Sequence, residues 1–207
     1  MPMHNPNFTL DKKFIIEQGY IIPPRIQLKY NNPKLDLIHE ALYSALFMAS
    51  QIDLVSAQEL FCRPDTIRPS YLRACVMELC RIEDLSKLLS KRISFSYLDD
   101  PVFHIIKILR NYQIHLTAHE LAYGVVDILY KQEVISYESY IIGNLNFREF
   151  KKLHSVKYDD EILLKLIEWF DAEQKKLGIT QFLFNAIKYL EQFLFSYYKN
   201  ERFMKQN

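Results

Sequence analysis

The stretch from Asp99 to Glu120 reads DDPVFHIIKILRNYQIHLTAHE. Asp100 followed by Pro101 marks a helix start: an acidic N-cap, then a residue whose missing N–H is not needed at the first helical position. Val102, Ile105, Ile106, Leu109, Tyr112 and Leu116 recur at three- and four-residue spacing, the apolar face of an amphipathic helix. Thr117 and Glu120 match a capping box, so a second segment is expected to begin where this one stops. At about 100° per residue, His104, Lys107, Asn111 and His115 share a different stripe, within about 80° of one another. Arg110 lies between that stripe and the apolar face.

Toward the N-terminus, two further helices are predicted. Asn31-Asn32-Pro33 opens one over about 33–50, with Leu35, Ile38, Leu42, Ala45, Leu46 and Ala49 on one face and His39 as an ordinary edge residue. A second runs from Pro69 to about Leu89 and buries Leu72, Cys75, Val76, Leu79, Ile82 and Leu85 or Ser86. Its other side, Arg73, Glu78, Arg81, Glu83, Asp84 and Lys87, has the mixed signs of a solvated face, with Glu78 or Arg81 the residues that could turn toward the 99–120 helix. The span Gln51–Ile67 reads as irregular. Residues 1–33 form an arm of short extended segments packed on the body, because Pro23-Pro24 stops any regular element.

Toward the C-terminus the pattern changes. Ala122–Tyr130 and Val134–Ile142 are rich in Val, Ile and Tyr around Lys131-Gln132-Glu133, which predicts a small hairpin, with a helix through 120–130 as the competing reading. A short helix is expected over Phe147–Leu153. A longer one covers Tyr158–Leu177, closed by Gly178, and Thr180 then caps a last helix to about Lys199. That last helix is apolar nearly all round (Phe182, Leu183, Phe184, Ile187, Leu190 and Phe193 among others), so it is either central to the core or buried between subunits, and a homodimer is expected. The fold class is therefore mainly α: an antiparallel helical bundle over residues 34–207 as a single domain, with an extended or hairpin segment around 122–142.

Composition bounds the functions open to such a chain. At 207 residues, 49% hydrophobic and 25% charged, it can bury a sizeable core. Lys plus Arg number 26 against 25 for Asp plus Glu, a balance that argues against a broad nucleic-acid-coating surface while leaving room for a short local contact. Cys62, Cys75 and Cys80 are odd in number and lack zinc-like clustering, which reads as buried thiols in a reducing compartment. No signal pattern and no run near the ~20 apolar residues of a membrane span is present, so a cytoplasmic location without membrane contact is expected. No glycine-rich phosphate loop or cofactor motif is found, and no cofactor is expected. His115 and His119, four apart beside Glu120, have a spacing that suits two metal ligands, but no third ligand has a recognisable spacing and no metal is expected.

The run Arg110-Asn111-Tyr112-Gln113-Ile114-His115, in a helix of a mainly helical chain, resembles the HEPN superfamily, whose motif is Arg, four to six residues, then His, often with Asn directly after the Arg. The flanking ILRNYQIHL is similar to abortive-infection and toxin-type members in particular. The resemblance implies a HEPN-like fold and metal-independent endoribonuclease activity at a homodimer groove, within a phage-defence or toxin–antitoxin system. It implies roles for three residues: His115 as general acid/base, Arg110 as the phosphate-binding charge, and Asn111 as a positioning residue. The residue types suit that chemistry. Cleavage needs a base for the 2′-hydroxyl, an acid for the leaving oxygen and positive charge on the phosphate. Imidazole titrates near working pH, and guanidinium stays protonated in a fork that matches phosphate oxygens.

On a continuous helix Arg110 and His115 point about 140° apart with about 7.5 Å of rise. Arg110 must then curl round, or the helix must loosen near Tyr112–Ile114, or the groove must join two copies of the motif across a two-fold axis. Expected partners are thus RNA, a second copy of the chain and an antitoxin or regulatory protein. The alternative is a non-catalytic interaction or regulatory module of the same fold.

Overall fold

Asn32 begins the first long helix by turning its side-chain oxygen onto the Lys34 N–H at 3.0 Å, while its carbonyl accepts from Leu35 and Asp36. The computed structural model that shows this describes residues 8, 10, 16–17, 20–27, 32–54, 64–112, 121–130, 132–143, 145–153 and 158–199. The order is β1 (Ile16–Glu17), β2 (Tyr20–Ile21), α1 (Pro33–Leu54), α2 (Pro64–Ser86), a single 3-10 turn (Phe95–Tyr97), α3 (Pro101–Tyr112), β3 (Leu121–Tyr130), β4 (Glu133–Ile142), α4 (Phe147–Leu153) and α5 (Asp160–Tyr197). Among the described residues the chain is mainly helical with two two-stranded antiparallel sheets, β1–β2 and β3–β4.

The apolar stripes read from spacing are the ones that pack. Leu35, Ile38, Leu42, Ala45, Leu46 and Ala49 of α1 are buried, as are Leu72, Cys75, Val76, Leu79 and Ile82 of α2. One boundary needs correction. The span 51–67 is not wholly irregular, because α1 continues to Leu54 and α2 begins at Pro64, so Pro69 lies inside α2 instead of opening it. Both prolines carry the same start signal. The second leaves the Asp65 carbonyl without its usual N–H donor, which a helix tolerates within two turns of its start.

The 121–142 segment is the predicted hairpin, not the competing helix: Leu121 pairs with Ile142 and the register runs without a bulge to Tyr130 and Glu133. Gln132 in the turn has φ +72°, a conformation that a tight two-residue connection requires. Alternation then sends Val126, Ile128 and Tyr137 inward, where they form a small second core with Ile21 and Ile135. The opposite face carries Tyr123 (56% exposed), Val125 (63%) and Val134 (71%).

Side chains of β4 and α5 fasten this hairpin to the helices. Gln174 acts as a substitute strand: its Oε1 accepts the Ile142 N–H and its Nε2 donates to the Ile142 carbonyl, both at 2.8 Å. Four residues on, α5 breaks at Gly178, whose φ of 70° and ψ of 159° lie in a region only glycine enters readily. The Tyr137 hydroxyl donates to the Leu177 carbonyl at that break. The predicted stop at Gly178 is thus present: the backbone leaves helical geometry there, and α5 is two helical segments joined at a kink.

Residues 179–190 of α5 are buried almost without interruption, so the all-round apolar character of this helix serves the core of a single chain. Leu164, at 44% exposed, and Phe195, at 49%, point outward from α5. The described part of the arm lies over α1 and α5. Leu10 and Ile26 are buried, Glu191 Oε1 accepts the Gln27 N–H at 2.5 Å, and Lys188 Nζ donates to the Arg25 carbonyl at 2.9 Å. No helix among the described residues is long and apolar enough to cross a membrane.

Candidate functional site

Helix α3 is buried on nearly every side: Pro101 to Ile106, Ile108, Leu109 and Tyr112 are all inaccessible, and the intermediate positions are Lys107, Arg110 and Asn111. The polar stripe expected along it is therefore not one open face. His104, at 1% exposed, sits in the core. Its Nε2 lies 2.6 Å from the Leu98 carbonyl and its Nδ1 2.7 Å from the Tyr158 hydroxyl. A carbonyl only accepts, so Nε2 carries the proton and Nδ1 accepts from Tyr158. Burial holds the imidazole below its ordinary pKa, opposed by the Leu98 hydrogen bond. This is a structural histidine. Replacing Tyr158 with Phe leaves Nδ1 buried without a donor, and denaturant unfolding should show a loss of about 1–3 kcal/mol.

One turn on, Lys107 pairs with Glu83 at 3.1 Å, and both side chains are less than one-fifth exposed. The same Glu83 oxygen accepts the Phe95 N–H at 2.7 Å. Glu83, not Glu78 or Arg81, is thus the α2 residue that meets α3; Glu78 and Arg81 pair with each other at the surface. Glu83, Asp84, Lys87, Arg92 and Lys107 border a cleft of about 350 Å³ between the two helices.

Arg110 and Asn111 occupy the last turn of α3, half-buried, and neither makes a hydrogen bond or ion pair among the described residues. Arg110 still acts at a distance. The Asp84 carboxyl is held below its ordinary value first by its hydrogen bond from Lys87, then by the charges of Lys87 and Arg110. Burial pushes the Cys80 thiol up to about 12, which Arg110 and Lys107 only partly oppose, and Cys75 is shifted the same way by burial. Both cysteines are free, buried and unreactive, as the sequence suggests. His115, the third motif residue, and the pair His119 and Glu120 lie outside the described residues, as does Cys62. Among the described residues no group of three His, Cys, Asp or Glu could hold a metal ion.

A second polar centre has no counterpart in the sequence reading. Asp53, near the C-terminal end of α1, accepts from Ser139 Oγ of β4 at 3.2 Å, while its other oxygen is buried without a hydrogen bond. The Thr180 hydroxyl of α5 stands close enough to lower the Asp53 pKa, yet Oγ1 has no formed hydrogen bond and the residue is only 3% exposed. Burial dominates, and the carboxyl is raised from 3.8 to about 6. Asp53 and Thr180 line a pocket of about 400 Å³ together with Ile21, Pro23, Tyr137 and Phe184. No local motif could have revealed it, since Asp53 and Ser139 are 86 positions apart.

No family model, curated protein or solved structure matches this chain significantly.

Proposed function

We propose that this chain is a HEPN-like, metal-independent endoribonuclease of a cytoplasmic phage-defence or toxin–antitoxin system. In this reading α1, α2, α3 and α5 are the helices of the HEPN-like bundle and the β3–β4 hairpin is an addition to it. The active groove forms where the ends of two α3 helices meet in a homodimer. Arg110 holds the scissile phosphate and the charge that builds on it, Asn111 positions the phosphate or the imidazole, and His115 exchanges the proton. An antitoxin or regulatory protein is the further expected partner.

The observation that supports this reading most is the contrast along α3. Lys107 is neutralised by Glu83 and His104 is spent on core hydrogen bonds, whereas Arg110 and Asn111 are half-buried with no partner among the described residues. A guanidinium and a carboxamide side by side at a helix end, left uncommitted, suit an anionic ligand. In the adjoining cleft Lys87 and Lys107 are paired with Asp84 and Glu83, which leaves Arg92 as the cation at its rim for a further backbone contact.

The test compares purified wild type with His115→Ala and Arg110→Ala on mixed RNA in EDTA. Wild type should cleave, and each variant should lose about a hundredfold or more while its melting curve is unchanged. Equal cleavage by all three proteins would assign the activity to a contaminant. No cleavage by wild type favours a non-catalytic interaction module, a reading supported by the exposed Tyr123, Val125 and Val134 face of the hairpin.

A further inference from the structure

We propose that the pocket where α1, β4 and α5 meet binds an aliphatic primary ammonium group, with the Asp53 carboxylate as its counter-ion. This site is separate from the end of α3 and does not depend on the ribonuclease reading.

The chemistry of the walls selects the ligand. Four hydroxyl hydrogens at or beside the pocket are already committed. Ser50 donates to the Phe47 carbonyl at 2.7 Å, Ser136 to Asp127 at 2.6 Å, Ser139 to Asp53 at 3.2 Å, and Tyr137 to the Leu177 carbonyl. What remains for a guest is the charge of the Asp53 carboxylate: the described lining holds no Lys or Arg, and the Ser136 and Glu138 side chains point to the other face of the hairpin. Among the hydroxyls, that of Thr180 is the exception, buried and without a hydrogen bond. A pocket lined by a carboxylate and by no cation among the described residues disfavours a phosphate or carboxylate and suits an ammonium, which brings three N–H donors and a positive charge. Ile21, Pro23, Leu54 and Phe184 supply apolar wall for a methylene chain behind that head.

Charge agrees with the hydrogen-bond count. The groups facing Asp53 are Arg68 from α2, Tyr137 from β4, and the hydroxyls of Ser139 and Thr180. Arg68 is the smallest influence on the carboxyl and lies over the Tyr140 ring, 4.4 Å from its centroid. Neutralisation of Asp53 from within the protein is therefore incomplete. A guest cation would complete it.

The ammonium could belong to a free amine or to a lysine side chain, and the experiment separates them. The full chain is titrated by calorimetry at pH 7.5 with n-butylamine, 1,4-diaminobutane, N-acetyl-lysine-N-methylamide, and butyrate as the anionic control. Wild type should bind the amines but not butyrate. Asp53→Asn, which retains an oxygen for Ser139, should bind at least tenfold more weakly. Thr180→Val should weaken binding severalfold. Lowering the pH from 7.5 to 5 should weaken wild-type binding about tenfold as the carboxyl, titrating near 6, takes up its proton. Tighter binding of the lysine derivative than of either free amine assigns the site to a lysine side chain, and the reverse to a free amine. Absence of binding by every amine at millimolar concentration overturns the proposal, as does Asp53→Asn binding as tightly as wild type.

Discussion

Gly178→Ala should destabilise the protein by about 2–6 kcal/mol, the sum of two separate penalties. The first is conformational: at φ 70° and ψ 159° a Cβ clashes with its own backbone, which costs about 1–3 kcal/mol. The second is steric. A Cβ built on Gly178 would fall well inside contact distance of both Oγ and Cβ of Ser139, which is itself held by its bond to Asp53. Overpacking of this kind costs about 1–3 kcal/mol more. Urea unfolding of three proteins separates the terms: Gly178→Ala, Ser139→Gly, and the pair together. The double variant should regain the steric part and keep the conformational part, so the two substitutions should couple favourably by more than about 1 kcal/mol. An unfolding midpoint for Gly178→Ala close to that of wild type would mean that the hairpin does not rest on the helix break.

That break was legible in the sequence because a glycine that ends an apolar-periodic stretch is a local signal, although Thr180, expected to cap the next helix, makes no capping hydrogen bond and lies beside Asp53 instead. The faces of α1, α2 and α3 were legible for a related reason. Each buries one stripe, and a stripe leaves a three- and four-residue period. The start of α2 was not, since Pro64 and Pro69 send the same message and only the packing decides between them. The role of the last helix was not legible either. An apolar surface all round says that something covers it, and here the cover includes the chain's own α1, α3 and β4.

The two polar centres differ in the same way. Arg110 and Asn111 are adjacent in sequence, so a motif can point to them, although the motif did not show that His104 and Lys107 on the predicted stripe are tied up in the fold. Asp53 meets Ser139 and Thr180 only after the hairpin folds back onto α5, and its neighbours in sequence, Ile52 and Leu54, carry no signal. A residue whose chemistry comes from desolvation is invisible until the desolvating groups are in place.

Asp53→Asn should therefore do the opposite of most substitutions and stabilise the protein, by about 2–3 kcal/mol at pH 7.5. The folded carboxyl titrates near 6 against 3.8 without burial, a difference of roughly two pK units, each worth about 1.4 kcal/mol. Because the folded value is the higher one, the native state holds this proton more tightly than the unfolded chain. Stability from this residue is full below pH 3.8 and is lost as pH rises through 6. The carboxamide has no such charge to bury, so the advantage of the variant should grow across that window and vanish near pH 4. His104 contributes with the opposite sign. Its folded pKa is lowered, so its stabilising contribution is present above about 6.5 and is lost as pH falls through the folded value. Chemical unfolding of wild type and variant from pH 4 to 8 isolates the Asp53 contribution, because the His104 contribution is common to both and cancels in the difference. A flat difference across that range would show that Asp53 is solvated. Repeated with saturating amine at pH 7.5, the gap should narrow, because a bound cation stabilises the wild-type carboxylate and offers the variant little. A buried, ionised and incompletely paired carboxylate lowers the stability of the empty protein, a cost that the proposed bound cation would offset.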